Sequence, residues 1–558
     1  MRHDSIGRGA ARGRAGLRCA AAAAAAALGA AAFLGAGAPD VSAQGPPLTT
    51  AEIEDLIAEC LHFAGRVGTR PDLTVGVVDP EGNALAVYHA AGVPADPLLR
   101  SNRAAVALAK AGTGAYFSSD QQTFSTRSAA FIIQDHFPPG VRYLPGGPLY
   151  GVEFSSIATS DVNPIVAPIP ASFLATSAAV PVPAAAELRI RGDLGGIGLY
   201  KNGRRVGGLG VDDGDPKRRL TIPRAILTPD GCDDPYRLSF RNFGRGRDLE
   251  RIVMAAGARF LAPPKIRATE ITVDGIRLPF SLPTRLGPPR AGLQTPAGGA
   301  YDPDFPLTDP TTLGSKFVDV RLDPPPGSGP DAPSFNGQIP DAFRPRAGTD
   351  GFLTEADVRR MLWQGARQAS ITRAAIRRPI GVEMQCWISV VDTRGEVLGV
   401  FRFHADATLF SYDVAVQKAR TAAFFSDDRV AFSCRGIGLL SQAFYPAGQQ
   451  DEGRAPLFQL QDGITVGLLT GAAPPGGHPL LNGITIFPGG VPLYKGGRLA
   501  GGIGVSGDGV DQDDIVADLG SRGFGAPGEI RCDRISGAEA KAGLRRALNR
   551  GRYAALES

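Results

Sequence analysis

Histidine and cysteine are scarce in this chain, with 6 of each among 558 residues, and tryptophan occurs twice. The cysteines form no CxxC pair and share no metal-binding spacing with a histidine, so the pattern of an ordinary structural zinc site is missing. The sequence also lacks an HExxH motif, a P-loop and a Ser/His/Asp order, the familiar signatures of zinc proteases, nucleoside triphosphatases and serine hydrolases. No enzyme class is indicated by these motifs.

An excess of charge of one sign is missing as well. Lysine and arginine number 59, against 55 for aspartate and glutamate. Five of these arginines and two of the acids precede residue 44, so 54 basic and 53 acidic residues belong to the rest of the chain. A near-neutral body gives no electrostatic reason to expect a nucleic acid as partner.

Long hydrophobic runs are absent after residue 38. The one long run, residues 20–38, is mostly alanine, follows five arginines and precedes the small-x-small pattern Val41-Ser42-Ala43. These features predict a secretory signal peptide over residues 1–43, and hence a periplasmic or secreted protein without membrane contact after cleavage. An uncleaved membrane anchor is the alternative, because the run approaches spanning length. Export would permit disulfides, but five cysteines follow residue 43, so at least one thiol has no partner within the chain.

Glycine, by contrast, is abundant, and much of it lies in a stretch that occurs twice. Residues 195–214 (GGIGLYKNGRRVGGLGVDDG) are repeated at residues 489–509 (GGVPLYKGGRLAGGIGVSGDG). Each stretch predicts a β-hairpin, because an alternating apolar run meets Asn202-Gly203 or Gly496-Gly497, which tolerate the positive φ of a type I′ turn. The paired glycines of the returning strand leave part of one face without side chains. We expect a neighbouring element or a ligand to approach the backbone there, and tight helix packing is favoured.

A second aligned region extends the repeat. Residues 110–140 and 418–448 align without a gap, and each follows a capped helix and two strands joined by a turn. We therefore predict two homologous α+β domains at residues 48–262 and 350–546, called here the first copy and the second copy. Residues 263–349, rich in proline and glycine, are predicted to be a linker with one short hairpin at residues 271–278.

The order of a helix, two strands joined by VVDxxG, a helix bearing KA, and then GG-x-P-L-Y-K-x-G and GG-x-G-V-S-G resembles the GlcG/HbpS-like haem-binding family (DUF336), which includes the C-terminal domain of PduO-type proteins. The second copy is closer to this pattern. In the first copy Gly198 replaces the proline, and Asp212-Asp213 replace Ser506-Gly507. The resemblance implies an antiparallel β-sheet flanked by helices in each domain, and binding of haem or a corrinoid. It also implies assembly, either as a homo-oligomer or as a pseudo-dimer within one chain.

The resemblance also implies where ligand contacts would lie. The family usually carries an arginine after the second strand, where the second copy has Arg402 and the first has His89. The imidazole of His89, or of nearby His404, could ligate haem iron, and an arginine or lysine could pair with a propionate. The alternative is that these side chains lie at the ends of strands, contact only solvent and bind no ligand.

Four basic residues occupy equivalent places in the two copies: Lys110 and Lys418, and Arg127 and Arg435. Two uses are open for them. They could recognise an anion in a groove, or they could anchor nearby chain by bonds to backbone carbonyls. Anchoring is favoured, because long basic side chains commonly lie over an apolar face while they fix adjacent chain.

These observations favour an exported protein that binds haem or a related tetrapyrrole, mainly through the second copy. The alternatives are a haem-degrading or redox enzyme, a corrinoid binder, and a ligand-free structural or interaction module. Binding ranks above catalysis because the sequence offers no activated nucleophile and no paired acid and base.

Overall fold

The computed structural model describes residues 46–550 with gaps, of which the longest are 163–189, 216–245, 282–291, 446–452 and 470–479. The predicted signal peptide, Cys232, His136 and His478 lie outside the described residues. Residues Gln44–Ser558 form one unit. Across the described ranges, no helix has the length and apolar character needed to cross a membrane.

The first copy builds an antiparallel sheet covered by helices. Its elements are α1 (Thr50–Val67), β1 (Thr74–Val78), β2 (Ala84–His89), α2 (Pro97–Tyr116), α3 (Thr126–Ile132), β3 (Gly196–Lys201), β4 (Arg204–Asp212) and α4 (Arg247–Ala256). After them come the small hairpin β5 (Thr272–Val273) and β6 (Ile276–Arg277), and then β7 (Ala300–Tyr301). The described strands of the sheet follow the order β3-β4-β1-β2-β7.

The second copy builds a sheet of corresponding order. Before it come β8 (Phe317–Leu322) and β9 (Phe335–Pro340), and its own elements are α5 (Glu355–Ala369), β10 (Cys386–Asp392), β11 (Val397–Phe403), α6 (Phe410–Phe425), α7 (Cys434–Leu439), α8 (Leu460–Leu469), β12 (Gly490–Lys495), β13 (Arg498–Gly507) and α9 (Val510–Gly520); α10 (Gly537–Arg550) follows. The described strands are ordered β12-β13-β10-β11-β9-β8. The fold class is therefore α+β, with antiparallel sheets flanked by helices.

The local signals in the sequence explain where these elements begin and turn. Thr49 and Thr354 each close a capping box at the start of α1 and α5, which satisfies helix N–H groups that otherwise have no partner. At the hairpin tips, Asn202 and Gly203 have φ of 52° and 78°, and Gly496 and Gly497 have 59° and 79°. These are the left-handed values that a type I′ turn requires, so both predicted hairpins are present.

Residues 263–349 do more than connect the copies. The hairpin predicted at residues 271–278 is present as β5 and β6. In addition β7 pairs with β2 and forms an edge of the first sheet, whereas β9 pairs with β11 and carries the edge strand β8 of the second sheet. Prolines and glycines in the segment do not prevent this, because an edge strand needs few ladder bonds.

One hydrophobic cluster contains residues of both copies, and the second copy has a further cluster of its own. The rings of Phe117 and Phe410, one from each copy, stack with centroids 4.3 Å apart. Buried Arg377 of the second copy donates to Ser119 Oγ of the first at 3.1 Å, and Arg420 donates to Asp161 at 2.7 Å. The copies are thus packed against each other by stacking and by charged contacts.

Candidate functional site

A helix lies against the glycine face of each repeated hairpin. A Cβ atom at Gly502 would collide with the carbonyl oxygen of Ala419, and one at Gly504 with that of Ala415. In the first copy Gly208 and Gly210 approach the backbone of α2 in the same way. Helix packing, the favoured interpretation, is therefore confirmed, and in the structure the helix backbone occupies the space that a ligand would need.

Both aligned lysines anchor the chain from a buried position. Lys110 Nζ donates to the carbonyl oxygen of Val211 at 3.1 Å, and Lys418 Nζ donates to that of Val505 at 2.8 Å. Each ammonium also has a carboxylate beside it: Asp193 lies 3.3 Å from Lys110, and Asp513 lies 2.7 Å from Lys418. Since both lysines are buried, the structure confirms the anchoring use and leaves neither side chain open to a ligand from solvent.

The Lys418–Asp513 pair is electrostatically unusual. Burial raises the pKa of Asp513 to about 7, although the neighbouring ammonium acts in the opposite direction. Desolvation of the charged carboxylate therefore outweighs its ion pair. We expect this carboxyl group to titrate near neutral pH.

The aligned arginines also hold structural elements together. Arg127 forms a two-point pair with Glu250, with N–O distances of 2.6 and 2.7 Å, and both side chains are buried. Arg435 contacts Asp514 at 2.5 Å and Asp511 at 2.6 Å, and its side chain is 52% exposed. In each copy the arginine thus ties a short helix to the start of a closing helix, α4 or α9.

His89 is sealed within the first copy. Its Nδ1 lies 3.0 Å from Thr74 Oγ1, its Nε2 lies 2.9 Å from Asp302 Oδ2, and the ring has no exposed surface. Because both ring nitrogens are occupied, His89 in this arrangement offers no lone pair to a metal. The prediction that His89 is a solvated residue at a strand end is therefore wrong. His89 is also not accessible to a haem iron in this arrangement.

Arg402 occupies the equivalent position in the second copy and is also buried. Its guanidinium donates to Gln338 Oε1 at 2.9 Å and to the carbonyl oxygen of Ala407 at 2.6 Å. It also lies over the rings of Trp387 and Phe317, at 5.1 and 5.5 Å from their centroids. Burial lowers the pKa of this guanidinium to about 9. The sequence placed this residue at a strand end but did not reveal its enclosure.

His404, two residues further on, is partly exposed. Its Nε2 lies 2.8 Å from Glu383 Oε1, and its ring packs on Phe403 with centroids 4.2 Å apart. Its backbone φ is +67°, a left-handed conformation that costs a residue other than glycine about 1–3 kcal/mol and is concentrated at functional sites. Of the two histidines predicted as ligand contacts, His404 is the one with exposed side-chain surface, 18%, although its Nε2 atom is buried against Glu383.

Sequence reasoning missed the loop that lies beside His404. Residues 370–385 separate α5 from β10, whereas only residues 68–73 separate α1 from β1. An isolated antiparallel β-bridge between the backbones of Arg373 and Glu383 closes this loop. The loop carries two strongly exposed side chains, Ile371 at 76% and Ile380 at 68%. The unequal spacing was the signal that could have revealed it.

The structure brings the predicted residues together in groups rather than in one site. Arg402 and His404 share the end of β11, and Lys418 and Arg435 both contact acids of α9. Lys110 and Arg127 bind separate acids in the first copy. No cluster of three histidine, cysteine or acidic residues suited to a metal ion occurs among the residues that the structure describes. The described cysteines that follow residue 43 are free thiols: Cys60, Cys386, Cys434 and Cys532.

Comparison with known proteins places the similarity in the second copy. Residues 366–521 match the family model described as haem degrading protein HbpS-like. Two solved structures are similar to parts of the chain. A PduOC–haem complex is 22% identical, covers 30% of this chain and 89% of its own, and has a TM-score of 0.21. The protein ORFY of Klebsiella pneumoniae, described by DUF336, is 24% identical, covers 29% and 83%, and has a TM-score of 0.20. No curated protein matches the chain.

Proposed function

We propose that this chain is an exported haem-binding protein whose site lies in the second copy, with the imidazole of His404 as the ligand for iron. The observation that carries the proposal is the match of residues 366–521 to a family described by haem chemistry. That range contains Arg402, His404 and the loop at residues 370–385. The first copy lies outside it.

The residues around His404 suit a haem iron. Imidazole is a common axial ligand of haem, and a metal-bound histidine usually has a carboxylate or carbonyl at its other ring nitrogen. Glu383 lies in that relation to His404, 2.8 Å from Nε2. The bound haem would supply the redox chemistry of its iron. His404 would hold the haem through the iron, and Glu383 would orient the imidazole of His404.

The loop beside His404 suits the rest of the ligand. A tetrapyrrole presents a broad apolar face and negatively charged propionates, so its site needs exposed apolar side chains and a cation. Ile371 and Ile380 are exposed on this loop, and Arg373 is exposed at the bridge to Glu383. The buried Lys110, Lys418 and Arg127 cannot serve this purpose without leaving their carboxylates.

Titration of the purified protein with haem, followed by absorbance, tests the proposal. We expect a saturable shift of the Soret band at one haem per chain, because only the second copy has an accessible histidine among the predicted contacts. A parallel titration with cobalamin tests the corrinoid alternative. If neither compound changes its spectrum, the proposal is wrong and the ligand-free interaction module is favoured.

Haem breakdown is the second candidate, and the printed description of the matched family favours it. Adding peroxide or a reductant to the haem-loaded protein separates the two functions. A stable Soret band would support binding alone. Loss of the band together with release of iron, faster than for free haem, would support an enzyme.

Export is part of the proposal and has its own test. The arginines before residue 20 and the alanine-rich run of residues 20–38 support it. N-terminal sequencing of protein isolated from the producing cell should begin shortly after Ala43. A retained N-terminus in the membrane fraction would favour the anchor instead.

A further inference from the structure

Among the residues that the structure describes, no carboxylate forms a hydrogen bond or an ion pair with the buried guanidinium of Arg402. Its two hydrogen bonds go to neutral oxygens, those of Gln338 and Ala407, and Nε has no acceptor among the described residues. Burying a charge costs several kcal/mol unless an opposite charge and hydrogen bonds compensate. The rings of Trp387 and Phe317 compensate in part, through contact with the cation.

Asp406 and Glu81 are the acids whose charge raises the pKa of Arg402, and both already accept hydrogen bonds from other residues. Asp406 accepts from Arg377 Nη1 at 2.8 Å and from the backbone N–H of Asp120. Glu81 accepts from Ser315 Oγ at 2.6 Å and from the backbone N–H of Lys316 at 2.9 Å. Neither carboxylate accepts a hydrogen bond from Arg402, so both act on the cation only from a distance and leave it without a directly paired anion among the described residues.

The first copy shows what such a counter-ion looks like. There His89 takes the place of Arg402, and Asp302 from the segment that forms the edge strand contacts it at 2.9 Å. In the second copy β9, which pairs with β11, supplies Gln338, a neutral amide, opposite Arg402. The described residues thus place an anion beside the basic residue of the first copy and a neutral amide beside that of the second.

We propose that Arg402 is the anchor of a binding site for a carboxylate, at the end of β11, and that the ligand supplies the negative charge that Gln338 lacks. The unused Nε–H and the guanidinium charge would bind one carboxylate oxygen, and the rings of Trp387 and Phe317 would enclose the group. This site does not depend on the proposed coordination of iron by His404.

The local structure allows a ligand to enter. Strand β9 pairs with β11 through two residue pairs, Arg402 with Gln338 and Phe403 with Gly337. Few hydrogen bonds therefore need to open before Arg402 is reached, and low local stability of this kind is common at ligand sites. The enclosure favours a small group, which is either a free acid of acetate size or the carboxylate end of a larger ligand such as a tetrapyrrole propionate.

An exchange of charge between two neighbouring residues tests the site. Gln338 Nε2 donates to the exposed Asp319 at 2.9 Å. The double variant Gln338→Glu/Asp319→Asn reverses this pair, so it keeps the net charge and a hydrogen bond while it places a carboxylate beside Arg402. Asp319→Asn alone is the matched control, and Arg402→Lys keeps the charge but removes the planar fork of donors.

The first arm measures the melting temperature in acetate and in chloride at equal ionic strength. We expect acetate to raise the melting temperature of the wild type and the control more than chloride does. The double variant should melt higher than the control without ligand and lose the acetate response, and Arg402→Lys should weaken the response about tenfold. These results would assign the site to a free small carboxylate.

The second arm measures the affinities of haem and of haem dimethyl ester. A preference for the acid that the double variant abolishes, without an acetate effect in the first arm, would assign the site to the end of a larger ligand. If acetate acts no differently from chloride and the double variant treats haem and its ester as the wild type does, the proposal is overturned. If the wild type does not bind haem, the haem proposal alone is contradicted, because the acetate arm does not use haem.

Discussion

Equivalent basic residues of the two copies make equivalent contacts in different surroundings. Lys110 and Lys418 bind the same carbonyl position of their sheets, at Val211 and Val505. The sequence showed that these lysines correspond and that anchoring was the better use. It did not reveal the acidic partners, because Asp193 and Asp513 lie at unrelated positions 83 and 95 residues away in the chain. Their burial also depends on tertiary packing.

Substitution of the aligned arginines should have unequal effects on stability. Arg127→Gln leaves Glu250 as a buried charge without its partner, so we expect a loss of about 3–5 kcal/mol in the free energy of unfolding. Arg435→Gln removes exposed contacts, for which about 0–1 kcal/mol is expected. Urea unfolding of both variants measures the difference. Equal losses would contradict the account of burial.

The Lys418–Asp513 pair should make stability depend on pH. The pKa of Asp513 is about 7 in the folded protein, against an ordinary value of 3.8. Between these values the folded state holds a proton that the unfolded state has lost, so this group's contribution to stability falls as pH rises from about 4 to 7. Asp513→Asn should flatten that part of the profile of unfolding free energy against pH. An unchanged slope would show that Asp513 ionises normally.

Each repeated hairpin is defined by the helix that lies on it. The returning strand needs glycine where the backbone of α2 or α6 approaches, and the turn needs residues that accept positive φ. Both requirements are visible in the sequence, and the hairpins were predicted correctly. The strands β7, β8 and β9 were not predicted, because the pairing of β7 with β2 and of β9 with β11 is a tertiary contact without a local pattern.

A methyl group at the contact between β13 and α6 should be destabilising. In Gly504→Ala the new Cβ would meet the carbonyl oxygen of Ala415, so we expect a loss of about 1–3 kcal/mol in the free energy of unfolding. Gly65→Ala is the control, because Gly65 lies in α1 with open space around it. That change should be neutral or stabilising by up to about 1 kcal/mol. Thermal unfolding distinguishes the two, and equal stability would mean that α6 lies further from the sheet.

At the scale of the whole molecule, the copies depend on each other. Phe117 and Phe410 stack across the boundary, and Arg377 reaches from the second copy to Ser119 of the first. The correspondence of the copies is visible in the sequence, but this mutual packing is not, since it joins positions far apart in the chain. Deletion of either copy would expose the shared core, so single substitutions are the better tests of function.

Phe410→Ala should therefore weaken both copies together. Truncation of a buried phenylalanine costs about 3–5 kcal/mol, and hydrogen exchange should lose protection in β1 and β4 as well as in β10 and β13. Leu439→Ala is the control, because Leu439 is 53% exposed, and a change within about 0.5 kcal/mol is expected. Loss of protection confined to the second copy would show that the copies unfold independently.

The haem affinity of His404→Ala, measured by Soret titration beside the wild type and His62→Ala, tests the central claim most directly. His62 is partly buried in α1 and lies outside the matched residues 366–521, so it is the matched control. We expect His404→Ala to shift the Soret maximum and to weaken haem binding by about tenfold or more, since the iron loses its imidazole ligand. His62→Ala should titrate like the wild type. An unchanged spectrum and affinity in His404→Ala would contradict the assignment of His404 as the iron ligand.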